Sequence, residues 1–278
     1  MADLPLISIV IPNYNGAAYL ENCLRALLAQ DYPRMEIVVV DNASRDRSVE
    51  LVRIIAPGAI LLRLPYNTGF AGGANAGIRA SRGDWIAVLN NDTEVADNWL
   101  SECVRGIERH PEAAFLACKI LYLKQRDQVY SAGDCFLRCC IAYRRGQDLR
   151  DGLDYAEECE IFSACGCAAL YRASLLRELG GYDERFSSYL EDVELGLRLQ
   201  AAGYRGYYLP AAKVYHHGGV TSGGEFSPLT VRLRTRNSLF ILFKSIPAPI
   251  LLRCFPMIAI AQLSWLARSI AHRQIASY

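Results

Sequence analysis

No aspartate or glutamate follows Glu225, although Arg232, Arg234, Arg236, Lys244, Arg253, Arg268 and Arg273 all lie beyond it. The whole chain carries a net charge of only +1, so an acidic body is joined to a basic tail. A near-neutral total argues against general nucleic-acid binding, while a basic, apolar tail suits an anionic membrane surface or a phosphorylated ligand. Also missing is an unbroken apolar run of the about 20 residues that a spanning helix needs. Ser245–Ala267 has Arg253 as its one charge and is interrupted by Pro247, Pro249 and Pro256. The expectation is an amphipathic segment lying in the membrane plane, with a helical cap packed on the domain as the plainer rival.

Paired two-residue cysteine spacing is absent too. Cys139–Cys140 and Cys165-Gly-Cys167 do not match zinc sites, and most of the other cysteines stand alone in apolar segments. Free, buried thiols in a reducing cytosol are therefore expected. The chain opens Met-Ala-Asp and runs straight into a strand, with no secretory leader in view. The turn after the first strand lacks Gly-x-Gly-x-x-Gly, and no Walker Gly-Lys-Ser/Thr occurs, which excludes a Rossmann dinucleotide site and a P-loop.

What is present is organised around Gly83–Thr93. Its apolar run, Trp85–Leu89, is the length of a strand and ends in Asn90-Asn91-Asp92. A buried strand would thus deliver Asp92 to the carboxyl edge of a sheet, where open α/β folds bind ligands. A carboxylate there suits a hard cation bridging phosphate oxygens; the competing role is a turn before a helix starting near Asp97. Upstream, Leu6–Ile11, Glu36–Val40 and Ile60–Leu64 read as strands. Helices are expected over Leu20–Leu28 and Ser48–Ala56, and a glycine-rich loop over Gly69–Gly77. Such alternation marks an α/β protein with a mostly parallel sheet between helices. Downstream, Ala113–Leu123 and Ser163–Tyr171 read as strands, and Ser174–Leu179 and Tyr189–Ala202 as helices. Tyr207–Leu209 and Lys213–Tyr215 are expected as short strands before a loop at His216–Gly219, and Tyr130–Glu160 as loop.

Ile11–Gly16, Val39–Ser44, Asn67–Gly77 and Leu89–Asp92 resemble the motifs of family 2 glycosyltransferases, in that order. Gly180–Phe186, Tyr189–Leu195 and the His216 loop continue the match, which covers about residues 4–240 and is most similar to the rhamnosyltransferase-like branch. The resemblance implies a GT-A fold over residues 1–240, with a nucleotide-binding half at 1–110 and an acceptor-binding half at 111–240. Residues 241–278 form a hydrophobic, basic tail. It also implies transfer from a nucleotide diphosphate-sugar, with dTDP-rhamnose the suggested donor, and inversion at the anomeric carbon.

Carried over, the resemblance places Pro12, Tyr14, Asn15, Asp41, Asn67, Gly69, Asn75 and Asn91 around the nucleotide, with Asp41 accepting from the pyrimidine imide. Asp92 and His216, with His217 as rival, would hold Mn²⁺ or Mg²⁺, although Asn90 replaces the first acid of the usual Asp-x-Asp. Asp192 would be the general base, with Glu191 binding the acceptor or orienting the loop. A helix start was expected to aim this pair outward and to lower its pKa. Arg232, Arg234 and Arg236 are candidates for a diphosphate clamp or for contact with anionic lipid. The implied acceptor is a cell-envelope or lipid-linked glycan at the inner face of the cytoplasmic membrane. Transfer to a polyprenyl phosphate and non-catalytic sugar-nucleotide binding are the alternatives.

Overall fold

The computed structural model describes residues 4–218, 224 and 226–277. The first half alternates as the sequence reading expects. β1 (Ile7–Asn13) leads to α1 (Ala17–Leu28), β2 (Met35–Asp41) to α2 (Ser48–Ile55), and β3 (Ile60–Arg63) to α3 (Gly69–Ala80). β4 (Trp85–Leu89) and the short β5 (Thr93–Val95) precede α4 (Trp99–Arg109) and β6 (Phe115–Tyr122). Among the described residues, one sheet runs β10-β12-β6-β11-β4-β1-β2-β3, with β5 beside β12 and β7 beside β6. Here β7 is Val129–Ser131, β10 Cys159–Ile161, β11 Ala168–Arg172 and β12 Gly206–His216. The run β3-β2-β1-β4 is parallel, and antiparallel β11 lies between β4 and β6. The sheet is therefore mixed.

Period-two alternation sends side chains to opposite faces. Ile7, Ile9 and Ile11 meet α1 and α4 residues such as Leu24 and Trp99 in one core layer. Val10, Val38 and Val40 meet Ala74 and Ile78 of α3 in the other. That second layer also takes α5 (Ala173–Glu178) and α6 (Glu191–Ala201) through Leu176 and Leu195.

Several boundaries differ from expectation. Gly69–Gly77 is not loop but the body of α3: a β-carbon at Gly77 would fall 2.3 Å from Val10 Cγ1, so glycine lets the helix press onto the sheet. Packing there outweighs the poor helix propensity of glycine. The strand expected over Ser163–Tyr171 begins only at Ala168, while the two short strands after Gly206 are one, β12, bulged between Leu209 and Lys213. Tyr130–Glu160 holds a hairpin of β8 (Asp134–Phe136) and β9 (Ala142–Arg144). Gly219, the end of the expected His216–Gly219 loop, lies outside the described residues.

The tail is two helices, α7 (Pro228–Ser245) and α8 (Ala248–Ala271). Pro249 sits in the first turn of α8, where its missing N–H is harmless, and Pro256 is carried inside the helix rather than ending it. Pro249 and Pro256 therefore do not break the segment as expected, whereas Pro247 stands at the break between α7 and α8. By length and composition α8 suffices to cross a membrane. Trp265 Nε1 donates to Thr235 Oγ1 at 2.9 Å and Leu242 clusters with Cys254 and Ile258, so α8 folds back along α7.

Candidate active site

The carboxyl ends of β1, β2 and β4 lie side by side, with Asn13 in register with Asp41. Asn91 Nδ2 donates to Asn13 Oδ1 (2.7 Å), and Asn13 Nδ2 donates to Ser44 Oγ (3.2 Å). These bonds tie the three tips together. Asp41 is buried, with Oδ1 accepting the Ser44 N–H at 3.3 Å and Oδ2 3.9 Å from Arg63 Nε. Pro12 is buried while Tyr14 and Asn15 are exposed at the mouth; the Asn15 N–H donates to Ser44 Oγ. Asn67 Oδ1 accepts the Gly69 N–H and so caps α3.

Asn75 does not join this group. The helical path of α3 carries it away from the strand tips, and its buried amide accepts the Tyr182 N–H while donating to the Tyr182 carbonyl and Glu184. It stitches α3 to the Gly180–Asp183 turn.

Asp92 and His216 come together from positions 124 apart: His216 Nε2 lies 3.1 Å from Asp92 Oδ1, and both residues are buried. The pairing of His216 with Thr93 across β12 and β5 sets this spacing. An imidazole nitrogen and a carboxylate oxygen converge there, donor types that a divalent cation takes, although the described residues hold no cluster of three such groups. Asn90 Nδ2 approaches the same nitrogen at 3.5 Å. His217 instead sets its ring against Tyr19 at 4.8 Å. With two protein donors, such a cation would depend on diphosphate oxygens and water for its remaining ligands.

Asp192 reaches the same region from α6. Its Oδ2 accepts the Gly166 N–H at 2.7 Å, and the adjacent Cys167 carbonyl accepts the Asn90 N–H at 2.9 Å. Two hydrogen bonds thus connect the Asp192 carboxylate to the strand end that carries Asp92. Glu191 points inward, 5 % exposed, with Oε2 lacking a hydrogen-bond partner. Burial, and then the neighbouring Asp192, push the Glu191 pKa well up; burial also raises that of Asp192. The expectations of an outward pair with lowered pKa are overturned for Glu191 in direction and for both in pKa. Desolvation of the charged form outweighs the helix dipole.

The sequence reading missed two neighbours in the β8–β9 hairpin. Asp134 is buried with Oδ1 unpartnered, and Arg144 stands opposite it in the hairpin register. The Arg144 guanidinium lies over the Tyr130 ring at 4.1 Å, and that ring meets His216 edge-on at 4.5 Å. Arg144 also opposes the negative charge of Asp192. Asn13 was legible, since it stands in the Ile11–Gly16 motif; Asp134 and Arg144 carry no local signal.

The three arginines of the tail do not form an alternating row, because they lie on α7 at about 100° per residue. Arg236 donates to the carbonyls of Arg185 and Phe186, Arg234 lies over Trp265, and Arg232 is exposed.

The Asp92–His216 pair thus stands beside the joined polar tips of β1, β2 and β4 at the carboxyl edge of the sheet. Residues 8–180 match the model of Glycosyl transferase family 2, and the chain belongs to that family. It is 28% identical over 241 residues to an O-antigen biosynthesis protein, RfbC, of Myxococcus xanthus, covering 81% of this chain but only 18% of that protein. It is 26% identical over 249 residues to N-acetylglucosaminyl-diphospho-decaprenol L-rhamnosyltransferase of Mycobacterium tuberculosis, covering 79% of this chain and 78% of the relative. The fold is shared with a mannosyltransferase of Pyrobaculum calidifontis solved with GDP-Man and Mn²⁺. The TM-score is 0.65 at 20% identity, over 97% of this chain and 76% of the other.

Proposed function

We propose that this chain transfers a sugar from a nucleotide diphosphate-sugar to a hydroxyl of a cell-envelope or lipid-linked glycan, with inversion. The observation that carries the reading is the tie between Asp192 and the Asp92–His216 pair through Gly166, Cys167 and Asn90. Support for dTDP-rhamnose as donor is the likeness to the mycobacterial rhamnosyltransferase. Residues 1–110 would hold the nucleotide and 111–240 the acceptor, although the boundary at 240 falls inside α7.

Asp41, Asn13, Tyr14 and Asn15 bind base and ribose, with Asn91 bracing Asn13. Asp92 and His216 would hold Mn²⁺ or Mg²⁺, a cation that would supply positive charge for the departing diphosphate. Asp192, partly exposed and oriented by Gly166, accepts the acceptor hydroxyl proton as that oxygen attacks the anomeric carbon from the opposite side. Glu191, whose pKa burial raises, orients the acceptor side. Arg144 adds positive charge that opposes the carboxylate of Asp192.

The test is a panel of dTDP-rhamnose, UDP-GlcNAc and GDP-mannose with and without Mn²⁺, using N-acetylglucosaminyl-diphospho-polyprenol as acceptor. Asp192→Asn should cut turnover by about 10² or more while leaving donor affinity intact. Asp92→Asn should weaken Mn²⁺-dependent binding of nucleoside diphosphate; loss of donor affinity in Asp192→Asn, or unchanged metal dependence in Asp92→Asn, overturns the assignments. A second reading, transfer to a polyprenyl phosphate, is favoured by the length and apolar surface of α8. Polyprenyl phosphate as sole productive acceptor would select it. In either case α8 seats the enzyme on the inner face of the cytoplasmic membrane.

A further inference from the structure

The turn that leads into Asp192 is built from residues ill suited to its shape. Ser187 (φ 63°), Tyr189 (φ 71°) and Leu190 (φ 66°) occupy the left-handed region without being glycine. Such backbone persists only where the surroundings hold it, and the holders here are on α7. Asn237, fully buried, spends one amide nitrogen on three carbonyls: Phe186 (2.9 Å), Ser188 (2.9 Å) and Tyr189 (2.6 Å). The reversed amide would set oxygen against all three, so the orientation is chemically fixed. Its Oδ1 accepts from Arg236 Nε at 2.9 Å, and Arg236 Nη2 donates to the Arg185 and Phe186 carbonyls. Tyr189 Oη meets Thr230 Oγ1 of the same helix at 3.0 Å. From the other side α3 closes on the turn: the Ala71 N–H donates to the Ser187 carbonyl (2.9 Å) and the Phe70 N–H to Ser188 Oγ (3.2 Å). A β-carbon on Gly69 would strike Ser187 at 2.4 Å.

We propose that α7 belongs to the catalytic apparatus: Asn237 and Arg236 are positioning residues that clamp the 187–190 turn against α3 and thereby aim Asp192. The inference rests on Asp192 being the base. It gives Arg236 a role other than gripping diphosphate, and it extends the functional unit into α7.

The experiment compares Asn237→Ala and Arg236→Gln with the wild type and with Asp192→Asn, using the donor of the panel that the wild type turns over. Turnover is read as nucleoside diphosphate released in the presence of N-acetylglucosaminyl-diphospho-polyprenol. Affinity is read by calorimetric titration with UDP, dTDP or GDP. The clamp requires kcat to fall at least tenfold in both α7 variants with nucleotide Kd within twofold of wild type. If Asn237→Ala does not fold, Arg236→Gln and Tyr189→Phe, which removes only the bond to Thr230, carry the same test. Wild-type kcat in the folded variants overturns the clamp, as does a weakening of nucleotide binding that accounts for the lost activity. Asp192→Asn separates the two levels. Inactivity there beside normal α7 variants sinks the clamp alone, whereas normal turnover there sinks the base assignment and the clamp with it.

Discussion

At Gly16 there is no room for a side chain: a β-carbon would stand 2.0 Å from Asn91 Nδ2 and 2.2 Å from Asn13 Oδ1. Those two atoms form the bond that joins the ends of β1 and β4, so the glycine protects the geometry of this carboxyl edge. Gly16→Ala is expected to force the two amides apart and to cost about 1–3 kcal/mol by overpacking. Denaturant titration should show that loss, and calorimetry should show weaker UDP or dTDP binding by the folded fraction. Unchanged values in both would mean the edge adapts to the methyl group. The sequence placed Gly16 in a motif but did not say which atoms it spares, because its neighbours in space come from position 13 and position 91.

The β8–β9 hairpin is the element whose chemistry was hidden. It brings Asp134 and Arg144 beside Asp192 from a stretch that reads as polar loop. Asp134 is pushed well above the ordinary carboxylate range by burial and then by the charge of Asp192. The folded state therefore holds this proton more tightly than the unfolded chain does. Stability contributed by the neutral form is complete below the unfolded value of about 3.9 and is lost as pH rises through the folded value, at up to about 1.4 kcal/mol per pH unit. Asp134→Asn, which mimics the neutral acid, should flatten this decline and raise the thermal midpoint at alkaline pH. Glu191 titrates in the same sense and will leave a residual slope. Thermal melts across about pH 5 to 9 decide the point; parallel curves for the two proteins would mean that Asp134 is ionised in the fold. The α3 helix carries a related lesson. Its glycines lower helix propensity, so they read as loop, yet they are what lets it approach β1 and Asn42 after β2.

On the scale of the molecule, α8 leaves one face uncovered. Leu252, Phe255, Ile260 and Leu263 are exposed along it, while Cys254, Ile258 and Ser269 turn inward. Arg253, Arg268 and Arg273 are exposed around this surface, and no acid follows Glu225. An apolar stripe with cations at its rim suits the headgroup region of an anionic bilayer. The full-length protein should sediment with phosphatidylglycerol vesicles and less with phosphatidylcholine ones. Arg253→Ala should weaken binding about fivefold, since one cation near such a surface is worth about 1 kcal/mol. Equal binding to both vesicle types, or none, would leave α8 without the lipid partner proposed for it.

The alternation of strand and helix, the carboxyl-edge position of Asp41 and Asp92, and the family were determined by the sequence alone. Each is written in a short stretch: an apolar run, the turn that ends it, and the polar residue at the tip. Only the tertiary structure decided that Asp192 bonds to Gly166, that His216 rather than His217 faces Asp92, and that Arg236 serves a backbone turn. It alone showed Glu191 facing inward and Pro249 and Pro256 carried within α8. The physical reason is range. Periodicity and turn chemistry act over a few residues, whereas these contacts join segments separated by 26, 124 and 50 positions, and burial exists only once the layers have closed.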